Sequence, residues 1–585
     1  MNFLKYTLAT ILGLFLFLII SIFIFMGIGA AASQKEEVKI KDTSVLELNL
    51  GSPISEKEPD NPFEEFGFEI PGAEFTLGLK EIKECIRNAS LDERIKAIYL
   101  NSSNFGGGFA IATEIRKELE KFKESGKPII AYSEYYSEAA YALSTVADTI
   151  LLHPMGLVEF NGFNLEMMFL GGTLEKLDIK AEIIKVGDYK SAAESLVRKD
   201  FSEENEEQLR FLIDEIYADF INDVARGRGI DDTTLLNIVN THKLRTSDDV
   251  LASNMVDMLA NKDESIDILK TAIGVSKDDK IELVSYSKYK NVNIESENTS
   301  KNRIAVLVAE GEINSGESDE DVLGSDTFAE QMRKLRENER VKAVVVRVNS
   351  PGGSAVASEI MAREIALTKE EKPVVASMSD VAASGGYWIS MGCDKIIAQP
   401  NTITGSIGVI GVILNIEKFM ENKLGITFDR IKTGEFADIG SGTHEMTETE
   451  RAIIQESVDD VYEDFITKVA FFRKMDIEEV KSIAGGRIWT GKQAMERKLV
   501  DELGGLERAV EVAAELANLE DYKLRYYPPK ESFFEKFMKG SEKEELMTYF
   551  FGEPDRFTKA INTIKDLENK DGIIARLPYG FEIIY

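Results

Sequence analysis

Two short stretches of this chain hold residues that could do covalent chemistry. In Asp380-Val381-Ala382-Ala383-Ser384-Gly385-Gly386-Tyr387-Trp388, a serine flanked by small residues follows an apolar strand at 374–377 and precedes a helix. Small neighbours give a substrate backbone access to the hydroxyl. The N–H groups of Gly385 and Gly386 at the helix start lie close to it. A serine in that position is also an ordinary helix N-cap, so the segment by itself reads two ways. In Arg347-Val348-Asn349-Ser350-Pro351-Gly352-Gly353-Ser354, a Pro-Gly-Gly turn joins a strand to a helix. Glycines there let the backbone approach a ligand, and free N–H groups can receive developing negative charge. A plain strand-to-helix turn has the same pattern.

A serine hydroxyl is a poor nucleophile until a base takes its proton. The chain has three histidines, His153, His242 and His444. His153 ends a strand and reads as structural, the other two lie in polar surroundings, and none has a carboxylate at motif spacing. No Cys/His cluster suggests a metal. There is no Gly-x-x-x-x-Gly-Lys-Ser/Thr loop and no Gly-x-Ser-x-Gly turn. No cofactor is expected. Cys85 and Cys393 read as buried thiols without a catalytic role. What remains is Lys190, in Gly187-Asp188-Tyr189-Lys190-Ser191-Ala192. A lysine serves as a base when burial lowers its pKa towards neutrality. A lone lysine in a polar loop is normally a solvated charge, and only the organisation of the chain changes that reading.

That organisation is a duplication. Ile95-Lys96-Ala97-Ile98-Tyr99-Leu100 returns as Val341-Lys342-Ala343-Val344-Val345-Val346. At the same offset Gly106-Gly107 meets Gly352-Gly353, Tyr141 meets Tyr387 and Asp148 meets Asp394. A one-residue gap brings Lys127-Pro128 onto Lys372-Pro373, and residues 184–221 resemble 431–466. Ser384 aligns with Glu138, and Lys190 aligns with Ala437. Each copy therefore holds one half of a possible serine–lysine pair and lacks the other.

The elements that must position the pair follow from hydrophobic period. Strands are predicted at 43–50, 97–101, 128–132 and 149–153, and helices at 110–123 and 138–147. Alternating strands and helices predict parallel sheets with right-handed crossovers. The β-branched run at 343–348 fits a strand buried on both faces. The expected division is a membrane anchor at 1–33, a first copy at 34–295, a second at 296–525 and an extension at 526–585. The apolar segment 403–413 reads as core or as the wall of a substrate pocket. The aromatic-rich extension reads as packing or as a partner or membrane contact.

The 585-residue chain is 44% hydrophobic and carries a net charge of −33. Its sequence pI is about 4.7. It lacks the basic footprint of a nucleic-acid binder, and the acidity reads as a solvated surface. Residues 6–33 contain no charge and are mostly apolar, which is long enough to span a bilayer as a helix. The run exceeds the core of a cleavable signal, although Ala30-Ala31-Ala32 resembles a cleavage site. Lys5 ahead of it favours an inside amino terminus and an exported body.

With these segments in view, the chain resembles the signal peptide peptidase A family, of the long duplicated type, within the Clp/crotonase-like fold. The resemblance covers about residues 45–525. It rests on Asn349-Ser350-Pro351-Gly352-Gly353-Ser354, Ala382-Ala383-Ser384-Gly385-Gly386-Tyr387-Trp388-Ile389, Thr404-Gly405-Ser406-Ile407-Gly408-Val409 and Tyr189-Lys190-Ser191-Ala192. It implies that Ser384 is the nucleophile, Lys190 the general base and Ser406 the residue that orients the lysine. Gly353 and Gly385 would supply the oxyanion-hole N–H groups. It further implies a homotetramer, held in the inner membrane by residues 6–32 with its body on the extracytoplasmic side. The substrates would be remnant signal peptides and other unfolded or apolar peptides. A crotonase-like acyl-CoA enzyme and a non-catalytic membrane scaffold are the alternative readings.

Overall fold

The computed structural model describes residues 40–59 and 75–529, apart from 293, 295–297 and 320. It also describes the strands Ile573–Arg576 and Phe581–Ile584 and the isolated residues Tyr6, Gly13 and Phe17. The rest of the expected span at 6–33, and most of the extension at 526–585, lie outside the described residues. Among the described residues, no helix is long and apolar enough to cross a membrane.

Two α/β layers repeat one another. In the first, the strands lie in the order Glu282–Ser285, Ser44–Leu48, Ile95–Leu100, Ile129–Tyr136, Thr149–Val158 and Met258–Leu259. Every neighbouring pair is parallel. In the second, Lys523–Tyr527, Arg303–Glu310, Val341–Ser350 and Val374–Ala383 follow in the same order. Lys395–Ala398 pairs beside Val374–Ala383, and Ile403–Gly405 continues along its far end. Ile129–Tyr136, Thr149–Val158 and Val374–Ala383 run past the ends of the sequence reading, whereas Ser44–Leu48 is shorter than the predicted 43–50 and Ile95–Leu100 starts earlier than the predicted 97–101.

Val341–Ser350 is buried on both faces, as its composition predicts. Val344, Val346 and Val348 join one core with Phe328, Met361 and Phe465. Ala343 and Val345 point the other way, onto Val510 and Ala513 of the helix Leu506–Leu516. Each fully buried valine contributes about 1.5–3 kcal/mol relative to an exposed one. The long helices Glu203–Arg228 and Glu448–Arg473 correspond in the two copies, and each starts from a hydroxyl cap, Ser202 and Thr447.

A third sheet departs from the expected parallel pattern and joins the copies. Its order is Val322–Gly324, Glu312–Asn314, Gly352–Ser354, Ile573–Arg576, Ile410–Asn415 and Lys180–Lys185. The last two pair antiparallel over their full length, Ile410 opposite Lys185 through Asn415 opposite Lys180. Nothing obliges this pairing to be parallel, because it is not a strand–helix–strand crossover within one copy. Of the apolar segment at 403–413, Ile407 and Val409 are core. Ile410 packs with Leu174, Ala192, Ala193 and Leu196, which seats the lysine-bearing loop on the second copy.

Candidate active site

Ser384 follows the last residue of the strand Val374–Ala383 and opens the helix Gly385–Met391. It occupies the N-cap position, yet its side chain makes no cap hydrogen bond and its φ is 55°. Its N–H donates to the Gly405 carbonyl at 2.8 Å, and its carbonyl accepts from Trp388 N–H at 2.8 Å. A left-handed φ at a non-glycine residue is strained and persists only where the surroundings impose it. Here it turns the hydroxyl away from the helix end. The sequence left a cap and a nucleophile as equal readings; this geometry removes the cap.

The hydroxyl points at Lys190, whose Nζ lies 2.8 Å from Ser384 Oγ. The same Nζ donates to Ser406 Oγ at 3.1 Å and to the Ser406 carbonyl at 3.2 Å. Lys190 is 1% exposed, and Ser384 and Ser406 are fully buried. Burial pushes the Lys190 ammonium well below the ordinary lysine range, and no carboxylate opposes it. A neutral amine has two N–H donors and one lone pair. In the neutral form Ser406 would take both donors and leave the lone pair for the Ser384 hydroxyl. Ser406 has φ 49° and is held by its N–H to the Arg487 carbonyl at 2.7 Å.

The loop that carries Lys190 is fixed from both copies. Ser191 Oγ donates to Asn205 Oδ1, and Gln208 Nε2 donates to the Tyr189 carbonyl. Gln208 Oε1 in turn accepts from Ile488 N–H in the second copy. The turn Gly485-Gly486 lies against the loop. A Cβ on Gly486 would stand 2.5 Å from Lys190 Cβ, and one on Gly187 would stand 2.3 Å from the Gly485 carbonyl oxygen. Both glycines have positive φ. The Arg487 guanidinium stacks over the Tyr189 ring at 4.6 Å and pairs with Glu207 at 2.8 Å. The sequence reading missed Asn205, Gln208 and this glycine pair. The adjacent glycines were the one available signal.

Gly353 lies on the short strand Gly352–Ser354, between the strand Val341–Ser350 and the helix Ala355–Lys369, so the segment joins a strand to a helix as expected. The helix begins later, at Ala355, capped by Ser354 Oγ accepting from Ala357 N–H. A Cβ on Gly353 would meet the Ile313 carbonyl oxygen at 2.0 Å. A Cβ on Gly385 would lie 3.1 Å from Gly353 N. The two glycine backbones therefore converge beside Ser384.

Charge is buried where the copies meet. Arg347 is fully enclosed and pairs with Glu56 and Glu114, each at 2.8 Å. Glu114 also pairs with Lys83. Burial opposes the Glu114 carboxylate, but Arg347 and Lys83 outweigh it and hold the group down to about 2. Asp380, on the serine strand, accepts N–H groups of Gly108, Ala110 and Ile111 at the start of the first copy's helix Phe109–Lys123. Burial raises its carboxyl to about 6 against those bonds. Both cysteines are free and buried.

Of the histidines, His444 is the one placed among potential ligand groups. Its Nε2 lies 3.0 Å from Glu450, and its Nδ1 lies 3.2 Å from Ser441 Oγ and 3.6 Å from Asp438. Both ring nitrogens are engaged, and Glu450 also closes the capping box of Glu448–Arg473. The cluster therefore has a structural account at that helix start.

The description of peptidase family S49 matches this chain twice, over residues 121–276 and 366–520. The chain belongs to peptidase family S49. The two matches fall in the two sheet layers, so the duplication is a duplication of this family's domain. "Protease 4" of Salmonella typhi is 37% identical over 459 residues, covering 77% of this chain and 74% of that one. "Serine protease SPPA, chloroplastic" of Arabidopsis thaliana is 35% identical over 450 residues, covering 76% and 66%. A "Putative signal peptide peptidase SppA" of Enterococcus faecium is 41% identical over 220 residues, covering 37% and 64%. Among solved structures, a "1510-N membrane-bound stomatin-specific protease S97A mutant" aligns with a TM-score of 0.26 at 15% identity. That alignment covers 40% of this chain and 100% of the other. This S49 member is a serine peptidase, and its first copy carries Glu138 where the second has Ser384. Burial raises the Glu138 carboxyl to about 7, against the N–H groups of Gly162 and Asn161 that it accepts.

Proposed function

We propose that Ser384 is the nucleophile and Lys190 the general base of a Ser–Lys endopeptidase. In this reading Ser406 orients the amine, and the N–H groups of Gly353 and Gly385 form the oxyanion hole. One observation carries it: a fully buried serine hydroxyl 2.8 Å from the amine of a buried lysine whose pKa burial lowers well below the ordinary lysine value. The amine takes the hydroxyl proton as Ser384 Oγ attacks the peptide carbonyl. The oxyanion gathers on Gly353 and Gly385, an interaction of about 3–4 kcal/mol per donor in such sites. Lys190 returns the proton to the leaving amine, and water hydrolyses the acyl-enzyme.

The substrates in this reading are unfolded and apolar peptides, remnant signal peptides among them. The name of the Enterococcus relative supports that class, and so does the uncharged apolar run at residues 6–33. That run anchors the chain, with units 34–295 and 296–525 on the extracytoplasmic side. The chains assemble head to tail into a closed homo-oligomer, a tetramer by resemblance. No observation of its own favours the acyl-CoA or the scaffold reading. The test is covalent labelling with a serine-directed fluorophosphonate. Labelling of the wild type and its loss in both Ser384→Ala and Lys190→Ala are expected. Undiminished labelling of Ser384→Ala would sink the assignment.

A further inference from the structure

The serine strand is interrupted just before Ser384. Val341–Ser350 and Val374–Ala383 pair in register as far as Val348 opposite Met378, and pairing resumes at Ser350 opposite Ala382. Asn349 therefore faces Ser379, Asp380 and Val381. Bulges re-aim the residues that follow them and are over-represented beside active sites. Each residue of this bulge is held separately. Ser379 Oγ accepts from the Arg347 guanidinium at 2.9 Å, and Asp380 accepts N–H groups of the first copy's helix Phe109–Lys123. Val381 N–H donates to Asn349 Oδ1 at 3.2 Å.

Asn349 is held in its turn. Its Nδ2 donates to Glu310 Oε1 at 3.1 Å, and its carbonyl accepts from Gly311 N–H at 3.1 Å. Both Glu310 oxygens accept from Glu56 N–H, at 3.1 and 3.0 Å. The Asn349 amide thus reaches both parts of the acyl-transfer geometry. From Asn349 the chain runs through Ser350-Pro351-Gly352 to Gly353, and from Val381 through Ala382-Ala383 to Ser384. Past the bulge, the far edge of the serine strand is paired along Val381–Ala383 with Ile403–Gly405. On the edge towards Gly353, the Asn349–Val381 bond stands beside the register pair Ser350–Ala382.

The duplication supplies a second observation. Val45 lies opposite Ala97 in the first copy, and Ile304 lies opposite Ala343 in the second. Ala97 aligns with Ala343, so counting on along each strand brings Glu310 onto Gly51 and Asn349 onto Ser103. The copy that has Glu138 in place of the serine therefore lacks both residues of this bridge.

We propose that Asn349 is a positioning residue for the peptidase reaction: backed by Glu310, its side-chain amide sets the separation between the Gly353 N–H and the Ser384 hydroxyl. The proposal rests on the Ser384–Lys190 reading. An amide suits the place because one end accepts and the other donates. Neither end touches the substrate, so the effect falls on the chemical step and not on binding.

The test compares Asn349→Leu with the exchange Asn349→Asp/Glu310→Gln in the full-length protein at pH 7. Leucine keeps the bulk and removes both bonds. The exchange lets the amide and the carboxyl trade places: the new amide donates to position 349, and the new carboxyl accepts from Val381 N–H. Burial, with the Glu56 carboxylate next to it, raises the Glu310 carboxyl to about 8, so an amide at 310 replaces a group that is largely neutral at pH 7. A displacement of about 1 Å at a reacting group costs about 10²-fold. Asn349→Leu should therefore lower kcat on an unstructured peptide, and the rate of fluorophosphonate labelling, by about 30- to 100-fold, with KM within about twofold of wild type. The exchange should restore both rates to within about fivefold. A wild-type rate in Asn349→Leu overturns the positioning role. So does an exchange variant that stays at least about 30-fold slow or does not fold, and this holds even where Asn349→Leu does not fold. In either case, loss of labelling in Ser384→Ala leaves the Ser384–Lys190 reading standing. Undiminished labelling of Ser384→Ala overturns that reading and the positioning role with it.

Discussion

In the proposed Ser384–Lys190 pair the two residues depend on the exclusion of water in different ways: the lysine can act as a base only where it is dry, and the serine gains a partner only where the lysine is. Lys190→Ala should lower kcat/KM on an unstructured peptide by about 10²–10⁴-fold. Lys190→Arg should do no better, since a guanidinium does not give up its proton at these pH values. The wild-type rate should rise with pH along a limb set by Lys190. Only the free amine accepts the serine proton, and burial holds its pKa well below 10.5. A rising limb near the ordinary lysine value would contradict a desolvated base. Ser406→Ala keeps the carbonyl contact but removes the hydroxyl one. It should slow acylation about five- to tenfold with KM unchanged, the cost of about one hydrogen bond. At this scale the sequence made both residues legible as types. It left Ser384 between a cap and a nucleophile, because the deciding contact joins residues 194 positions apart.

At the scale of elements, the strands and helices of each copy were legible from their periodicity, and the parallel order from their alternation. The cross-copy sheet was not. The segment Lys180–Lys185 pairs with a strand of the other copy, and no local pattern names a partner so distant. The same holds for the glycine turn beside the lysine loop. Gly486→Ala would place a methyl 2.5 Å from Lys190 Cβ at a residue with φ 84°. A displacement of about 1 Å at a catalytic group costs about 10²-fold. The variant should therefore lose fluorophosphonate labelling while its circular dichroism stays that of the wild type. Asp380 gives the matching test for the charged seam between copies. Its carboxyl is raised to about 6 by burial. The folded state then binds a proton that the unfolded state has released between the model value of 3.8 and about 6. The resulting stability is complete below the unfolded value and is lost as pH rises through about 6. Asp380→Asn keeps an acceptor for the N–H groups of the helix Phe109–Lys123 and removes the charge. Its urea midpoint relative to the wild type should rise as pH goes from 4 to 7, and a difference independent of pH would refute the raised carboxyl.

For the whole molecule, the duplication supplies the argument about assembly. The first copy's segment leaves its own layer and inserts Ile184 into the second copy's core. The corresponding segment of the second copy, residues 424–443, pairs with no strand among the described residues. Ile431, which aligns with Ile184, is fully exposed, Leu424 is 55% exposed and Ile426 43%. The backbone is already set for the same path, since Asp178 and its counterpart Gly425 share a left-handed φ, 60° and 68°. The strand that would receive it is Asn164–Met167, the counterpart of Ile410–Asn415. Among the described residues it is paired only along one edge, with Phe581–Ile584. A neighbouring chain can meet it, and repeating one contact head to tail closes a ring when the rotation permits. Ile426→Asp/Ile431→Asp should therefore convert the proposed oligomer to single chains in sedimentation velocity. Because Lys190 and Ser384 meet within one chain, fluorophosphonate labelling of the separated chains should stay within about twofold of wild type, an effect below about 0.5 kcal/mol. Loss of labelling together with loss of assembly would mean instead that the serine–lysine contact needs the neighbour to hold it.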